Sequence, residues 1–253
     1  ARDYVPKPFD AEELFSRVKN LLEVHHANKY MSQENAILDE RVRQRTEELQ
    51  TAHEQLHESR LQVVRRLGRA AEYRDNETGL HIIRMSKMAA LIAKAAGMSD
   101  DECDLLLNAA PMHDIGKIGI PDHILLKPGK FEPDEWEIMK THAQIGADIL
   151  SGDDMPLLNM ASDIALTHHE KWDGSGYPNG LKGEEIPLVG RITALADVFD
   201  ALTMERPYKK AWPMDDVIKF ISDEAGTSFD PALVEVFNNN IDRFLAVKAE
   251  YAD

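Results

Sequence analysis

The chain has 253 residues, 43% of them apolar, a formal charge of -16 and a single cysteine, Cys103. That length buries a proper core, as one large domain or a medium domain with attachments. No apolar run approaches bilayer-spanning length and no segment has the basic-then-apolar layout of a secretory leader, so membrane insertion is not expected. One cysteine excludes an internal disulfide framework and fits a reducing compartment, with the cytoplasm as the default. The negative balance argues against duplex nucleic acid as a bulk partner, because phosphate backbones are held largely through counterion release to Lys and Arg. An anionic ligand therefore needs a local source of positive charge.

The first residues, "ARDYVPKPFDAEELFSRVKNLL", lack an initiator methionine and read as a piece of something longer. "KPFD" followed by an amphipathic helix (Leu14, Val18, Leu21, Leu22) resembles the last strand, loop and final helix of a two-component receiver domain. The resemblance implies that Lys7 matches the lysine contacting the phosphorylated aspartate, with Lys7-Pro8 a candidate cis bond. It also implies that the phospho-acceptor aspartate and the docking face for a cognate histidine kinase lie in the missing part. The chain by itself would then not be switched by phosphorylation. A plain leader helix is the alternative.

From about Met31 to Leu67 there is no proline or glycine and charge is dense, which predicts one long helix ahead of Gly68. Val42, Leu49, Leu56 and Val63 recur every seven residues, with Leu38 and Ala52 at the second seam position. Arg45, Ser59 and Arg66 interrupt that second position. A dimeric coiled coil, giving a homodimer through the stalk, and a solvated single helix both remain open.

After Glu72 every segment reads helical, from "HIIRMSKMAALIAKAAG" and "DECDLLLNAAPMHDIGK" through "PDEWEIMKTHAQIGADIL", "PLLNMASDIALTHHEK", "LVGRITALADVFDALT" and "MDDVIKFISDEA" to "DPALVEVFNNNIDRFLAV". Each carries apolar residues at three-four spacing, and several open on Ser, Asp or Pro. The expected architecture is an all-α bundle over 71–253, preceded by a stalk over 28–70 and the receiver fragment over 1–27.

Six of the ten histidines fall in this helical part, and five of them lie near other nitrogen or oxygen donors. Glu77 and His81 are four apart, on one helical face. "MHDIGK" offers His113, Asp114 and Lys117; His142, the pair His168-His169, and Asp197 follow. Singly, most have plainer readings: Glu77/His81 as a surface contact, His113-Asp114 as a helix-end pair, His142 as a hydrogen-bonded histidine. Asp197 is stronger, because a carboxylate inside "ITALADVFDAL" demands a cation or donors. His168-His169 ends a predicted helix and precedes "DGSGYPNG", whose glycines permit positive φ and close backbone approach. The donor mix suits iron or manganese, whereas a structural zinc site would recruit thiolates. His25, His26, His53, His57 and His123 read as solvated.

The long stretches "HDIGKIGIPDHILLKPGK", "HHEKWDGSGYPNGLKGEEIP" and "ADVFDALTMERPYK" resemble the HD-GYP family, a subgroup of the HD metal-dependent phosphohydrolases, over about Glu77 to Phe237. The resemblance implies an HD-type helical bundle that hydrolyses cyclic di-GMP to pGpG, and with a second cut to GMP, at two or three divalent ions. Iron is the leading metal and manganese the next, with Ni, Zn or Co as substitutes. Carried over by motif, His81, His113, Asp114 and Asp197 match the ligands of one metal, and Asp114, His142, His168 and His169 those of the next. Glu77 matches the carboxylate that serves a third in some members. Lys117 matches the lysine beside the metals, and Arg206 and Lys209 match residues that bind the substrate's phosphates. Gly176 and Tyr177 lie in the loop set against the ligand. A related enzyme for another nucleotide and a non-catalytic binding module are the competing readings.

Overall fold

A computed structural model describes residues 10–74, 79–152, 154–204 and 211–251, with the backbone alone for His57, Arg60, Glu72 and Tyr73. Lys7, Pro8, Glu77, Arg206 and Lys209 lie outside the described residues, as does the side chain of His57. The chain forms two compact units, Ala1–Ser59 and Arg60–Asp253.

Among the described residues the first unit consists of most of α1, a single helix of 63 residues spanning Ala11–Tyr73. It starts at Asp10, whose carboxylate accepts the Glu12 N–H at 2.8 Å. The helix is continuous across residue 27, because no glycine or proline interrupts it before Gly68. Short-range ion pairs line its surface, among them Arg17 with Glu13 and Arg43 with Glu40 and Glu47. Exposed pairs of this kind are screened by solvent and add little to stability. Val42, Leu49, Leu56 and Val63 are all exposed, Leu49 at 71%.

In the second unit the last turns of α1 are followed by α2 (Gly79–Ala95), α3 (Asp100–Ala109), α4 (Asp122–Leu125), α5 (Pro133–Lys140), α6 (His142–Leu150), α7 (Pro156–Thr167), α8 (Leu188–Thr203), α9 (Met214–Asp223), α10 (Pro231–Asn239) and α11 (Ile241–Glu250). No strand occurs among the described residues, so the all-α expectation holds. The core joins Met85, Met88 and Ile92 of α2 to Leu106, Ile164, Leu195, Ile221 and a ring trio, Phe199, Phe237 and Phe244. Those rings meet at centroid distances of 5.1 to 5.8 Å. Each such buried side chain stabilises by about 1.5–3 kcal/mol.

Three runs read as continuous helices are divided. α3 ends at Ala109 and a tight 3-10 turn over Ala110–Met112 follows, because Pro111 has no N–H for the next helical bond. α5 stops at Thr141, whose hydroxyl donates to the Ile138 carbonyl at 2.6 Å and satisfies the end of the helix. α10 stops at Asn240, whose amide donates to the Val236 carbonyl at 2.8 Å. The first two breaks matter for the site, since they place His113 and His142 at helix ends facing the middle of the bundle.

Candidate metal centre

The site gathers side chains from five parts of the second unit. His81 comes from the first turn of α2, and His113 and Asp114 from the link between α3 and a second 3-10 turn, Ile115–Gly119. His142 opens α6, His168 and His169 follow the last residue of α7, and Asp197 lies within α8. Gly116 makes this convergence possible. A Cβ there would strike the His142 carbonyl and the backbone of Gly146, so only glycine lets the segment after Asp114 lie on α6.

Two donor groups result. Ligand atoms of Asp114, His142, His168 and His169 all lie within 4.8 Å of one another, and so do those of His81, His113 and Asp197. The Asp114 carboxylate stands between them. Its Oδ1 faces His142 Nε2 at 3.3 Å and His168 Nε2 at 3.5 Å, while Oδ2 faces His113 Nε2 at 3.2 Å. On the far side His81 Nε2 is 3.4 Å from Asp197 Oδ1.

The outer nitrogens set the chemistry of the inner ones. His113 Nδ1 lies 3.1 Å from the Ala110 carbonyl, His142 Nδ1 2.7 Å from Met139, and His168 Nδ1 3.0 Å from Ile164. A carbonyl only accepts, so in each ring Nδ1 carries the proton, and in the neutral imidazole Nε2 presents a lone pair inward. His81 does the same through Asp200, whose carboxylate accepts from Nδ1 at 2.7 Å. Burial pushes His168 below the imidazole range, and burial and then neighbouring His168 push His169 well below it, so both stay neutral.

Acceptors therefore meet acceptors. His142 Nε2, His168 Nε2 and Asp114 Oδ1 are buried and have no hydrogen-bond partner among the described residues. Converging lone pairs of this kind repel, and each buried orphan costs about 1–3 kcal/mol unless a cation lies among them. The donor set thus fits divalent metal ions, with imidazole and carboxylate ligands of the borderline-to-hard type. Lys117 supplies positive charge on one side, its Nζ 2.8 Å from Asp114 Oδ2. Burial opposes the charge on Asp114, and the Lys117 ammonium outweighs it, leaving the carboxyl well below the usual range.

Behind His81 stands a pair that the sequence reading did not single out. Asp200 accepts from Arg84 Nε at 2.7 Å and Nη2 at 3.1 Å as well as from His81, and both Asp200 and Arg84 are 1% exposed. Burial disfavours the Asp200 charge, but the hydrogen bonds from His81 and Arg84 hold its pKa below the ordinary value.

The loop after His169 is organised by Glu170, also missed. This buried carboxylate accepts the Asn179 N–H at 2.7 Å and the Leu181 N–H at 3.1 Å. Gly176 has the close approach expected of the loop: a Cβ would come within 2.6 Å of Glu170 backbone atoms. Tyr177 stacks on His169, centroids 4.7 Å apart at 26°, and meets the half-exposed Trp136 edge-on at 5.9 Å. One face of the tyrosine ring is thus taken up by a cluster histidine. His25, His26, His53 and His123 are exposed, as read from the sequence.

A family model for the HD domain matches residues 33–233. The chain belongs to the HD domain family. Among curated relatives it is 43% identical over 233 residues to the cyclic di-GMP phosphodiesterase response regulator RpfG of Xanthomonas campestris, covering 92% of this chain and 60% of that protein. It is 42% identical over 240 residues to a cyclic di-GMP phosphodiesterase of Thermotoga maritima, covering 94% and 64%. A 3'3'-cGAMP-specific phosphodiesterase of Vibrio cholerae is 40% identical over 242 residues, covering 96% and 44%. The chain therefore spans less than two thirds of each of these relatives. A solved V. cholerae cyclic GMP-AMP phosphodiesterase shares the fold at a TM-score of 0.56 and 24% identity, over 74% of this chain and 50% of that one. No helix among the described residues is long and apolar enough to cross a membrane.

Proposed function

We propose that the chain is a metal-dependent phosphodiesterase of the HD-GYP type that opens cyclic di-GMP to linear pGpG, with a second cut giving GMP. The observation that carries the reading is one carboxylate, Asp114, shared between two convergent sets of acceptors with an ammonium 2.8 Å away. Relatives named as cyclic di-GMP phosphodiesterases at 42–43% identity support the substrate class.

In this reading His81, His113, Asp114 and Asp197 hold one ion and Asp114, His142, His168 and His169 a second, with Glu77 available for a third. Iron is the proposed metal, manganese the next, and Ni, Zn or Co would enter the same donors. Bound ions would supply Lewis-acid activation of a water nucleophile and of the phosphoryl oxygens. The protein's part is to keep the Nε2 lone pairs aimed inward and to place the Lys117 ammonium where charge develops on the phosphate. Arg206 and Lys209 are assigned to the substrate's phosphates, and Gly176 and Tyr177 to the rim facing the bases. As water oxygen bonds to phosphorus the bond to the ribose 3' oxygen breaks and a proton, balancing the one the water gives up, ends on that oxygen, which opens the ring.

We also propose that the exposed apolar row of α1 pairs with a second copy, that the chain works in the cytoplasm, and that a histidine kinase acts through a receiver domain of which residues 1–27 are the end. The wild-type chain, reconstituted with iron or manganese without oxygen, should convert cyclic di-GMP to a linear product separable by chromatography. His113→Ala/Asp114→Ala should not, and equal turnover in the two would refute the reading. The cGAMP-specific relative favours a second reading, a mixed cyclic dinucleotide as substrate, which the same assay decides by competition.

A further inference from the structure

The last turns of α1 are joined to the segment that carries His113 and Asp114. Arg65 Nη2 donates to Asn108 Oδ1 at 2.9 Å. Gly68 lies so close to the Pro111 carbonyl that a Cβ would run into it. Just beyond the helix, Arg74 reaches the chain that leaves Asp114. Its Nη1 donates to the carbonyls of Ile118 at 2.7 Å and Lys117 at 3.3 Å, and its Nη2 to the carbonyl of Ile120 at 3.2 Å and to the Asp122 carboxylate.

This is an unusual load for one side chain on backbone alone. The Lys117 carbonyl also takes the Ile120 N–H at 3.1 Å, and the five donors of a planar guanidinium, against three on an ammonium, suffice for these three carbonyls together with the Asp122 carboxylate. Asp122 holds the guanidinium itself, with the Arg74 side chain 34% exposed. The segment so gripped begins at Lys117, whose N–H returns to the Asp114 carbonyl at 3.0 Å and whose ammonium meets the Asp114 carboxylate.

We propose that Arg74 is a positioning residue for this site: by binding the carbonyls of Lys117, Ile118 and Ile120 it fixes the backbone from which the Lys117 ammonium reaches Asp114 and the phosphate. The catalytic consequence rests on the phosphodiesterase reading; the local ordering does not. The same contacts make the end of α1 the point at which any turning of those last turns reaches the site.

The test uses the whole chain carrying Arg74→Ala, Arg74→Lys or Asp122→Asn, with the exposed Arg69→Ala as comparison. Amide hydrogen exchange should accelerate across 115–122 by about tenfold or more in both Arg74 variants, as expected for losing about 1.4 kcal/mol of local hydrogen bonding. Exchange in α2 and α8 should stay as in the wild type. In the metal-loaded enzyme kcat should fall about 10- to 100-fold with KM little changed, since a small misplacement of a charge-stabilising group costs that much. Asp122→Asn should show the same pattern more weakly. Arg74→Lys decides if Arg74→Ala loses its fold: the lysine keeps the charge but cannot span three carbonyls. Wild-type exchange over 115–122 in Arg74→Lys would overturn the proposal, and so would acceleration spread evenly over all helices. A wild-type chain with no turnover would defeat the phosphodiesterase reading while exchange still decides the role of Arg74.

Discussion

Asp200→Asn tests the support behind His81 with little change of shape. Asp200 takes three hydrogen bonds at 2.7 to 3.1 Å, two from the Arg84 guanidinium and one from His81, in a setting where Asp200 and Arg84 are each 1% exposed. Removing one partner of such a buried pair costs about 3–5 kcal/mol, because the remaining charge stays buried. Asparagine keeps the size and one acceptor, which puts the cost at the lower end, about 3 kcal/mol. That corresponds to roughly a hundredfold change in the folding equilibrium. For a unit of this size it lowers the melting temperature by about 6–12 °C. His81 also loses the carboxylate that fixes its tautomer, so metal affinity should drop about 10- to 100-fold. Urea unfolding of metal-free protein reads the first effect, and chelator competition reads the second. A variant within about 0.5 kcal/mol of wild type, the range of surface substitutions, would show that the Arg84–Asp200–His81 chain carries no such weight.

Three further outcomes follow from the same geometry. A saturating divalent ion at about 100 times its dissociation constant should stabilise the wild-type chain by about 2.7 kcal/mol, seen as a raised melting temperature; Asp114→Ala should lose that response. A response kept in full would remove Asp114 from the ligands. Gly116→Ala forces a methyl into the His142 carbonyl, so it should cost about 1–3 kcal/mol in urea and lower metal content as Asp114 moves off His142. Unchanged metal content would refute the close-approach argument. Glu224 accepts from Ser228 Oγ at 2.6 Å and Thr227 Oγ1 at 2.9 Å, and these bonds depress its pKa. Its contribution is therefore present above the ordinary carboxylate range and lost as pH falls through the lowered pKa. The melting-temperature gap between wild type and Glu224→Gln should close on acidification; a constant gap would contradict it.

Helix type and the cluster residues were legible in the sequence for different reasons. Three-four spacing in α2, α7 and α8 reports one buried face each, and that face is what packs. Asp197 and the pair His168-His169 stood out on their own, Asp197 because a carboxylate inside an apolar run is expensive without a cation or donors, whereas His113, Asp114 and His142 were legible through the long stretches that resemble the HD-GYP family. Glu77, Arg206 and Lys209 lie outside the described residues. What the sequence hid is long-range pairing. Arg84 and Asp200 are 116 positions apart, and Arg74 and Asp122 are 48, so no local pattern announces either. Gly68 misled in a different way. In one dimension it reads as the place where the long helix weakens, since glycine costs about 1 kcal/mol there. In the fold the helix runs through it, and the missing side chain is what admits Pro111.

The orientation of the cluster histidines has a consequence for mutational tolerance. His113, His142 and His168 are each steered by a carbonyl three or four residues earlier in the chain, and no amino-acid replacement at those earlier positions deletes a carbonyl. Their aim is insured by the main chain. His81 alone among these four is steered by a side chain, so a saturation screen of the layer behind the imidazoles should find its intolerant spot at Asp200 and forgiving positions at Ala110, Met139 and Ile164 wherever volume is kept.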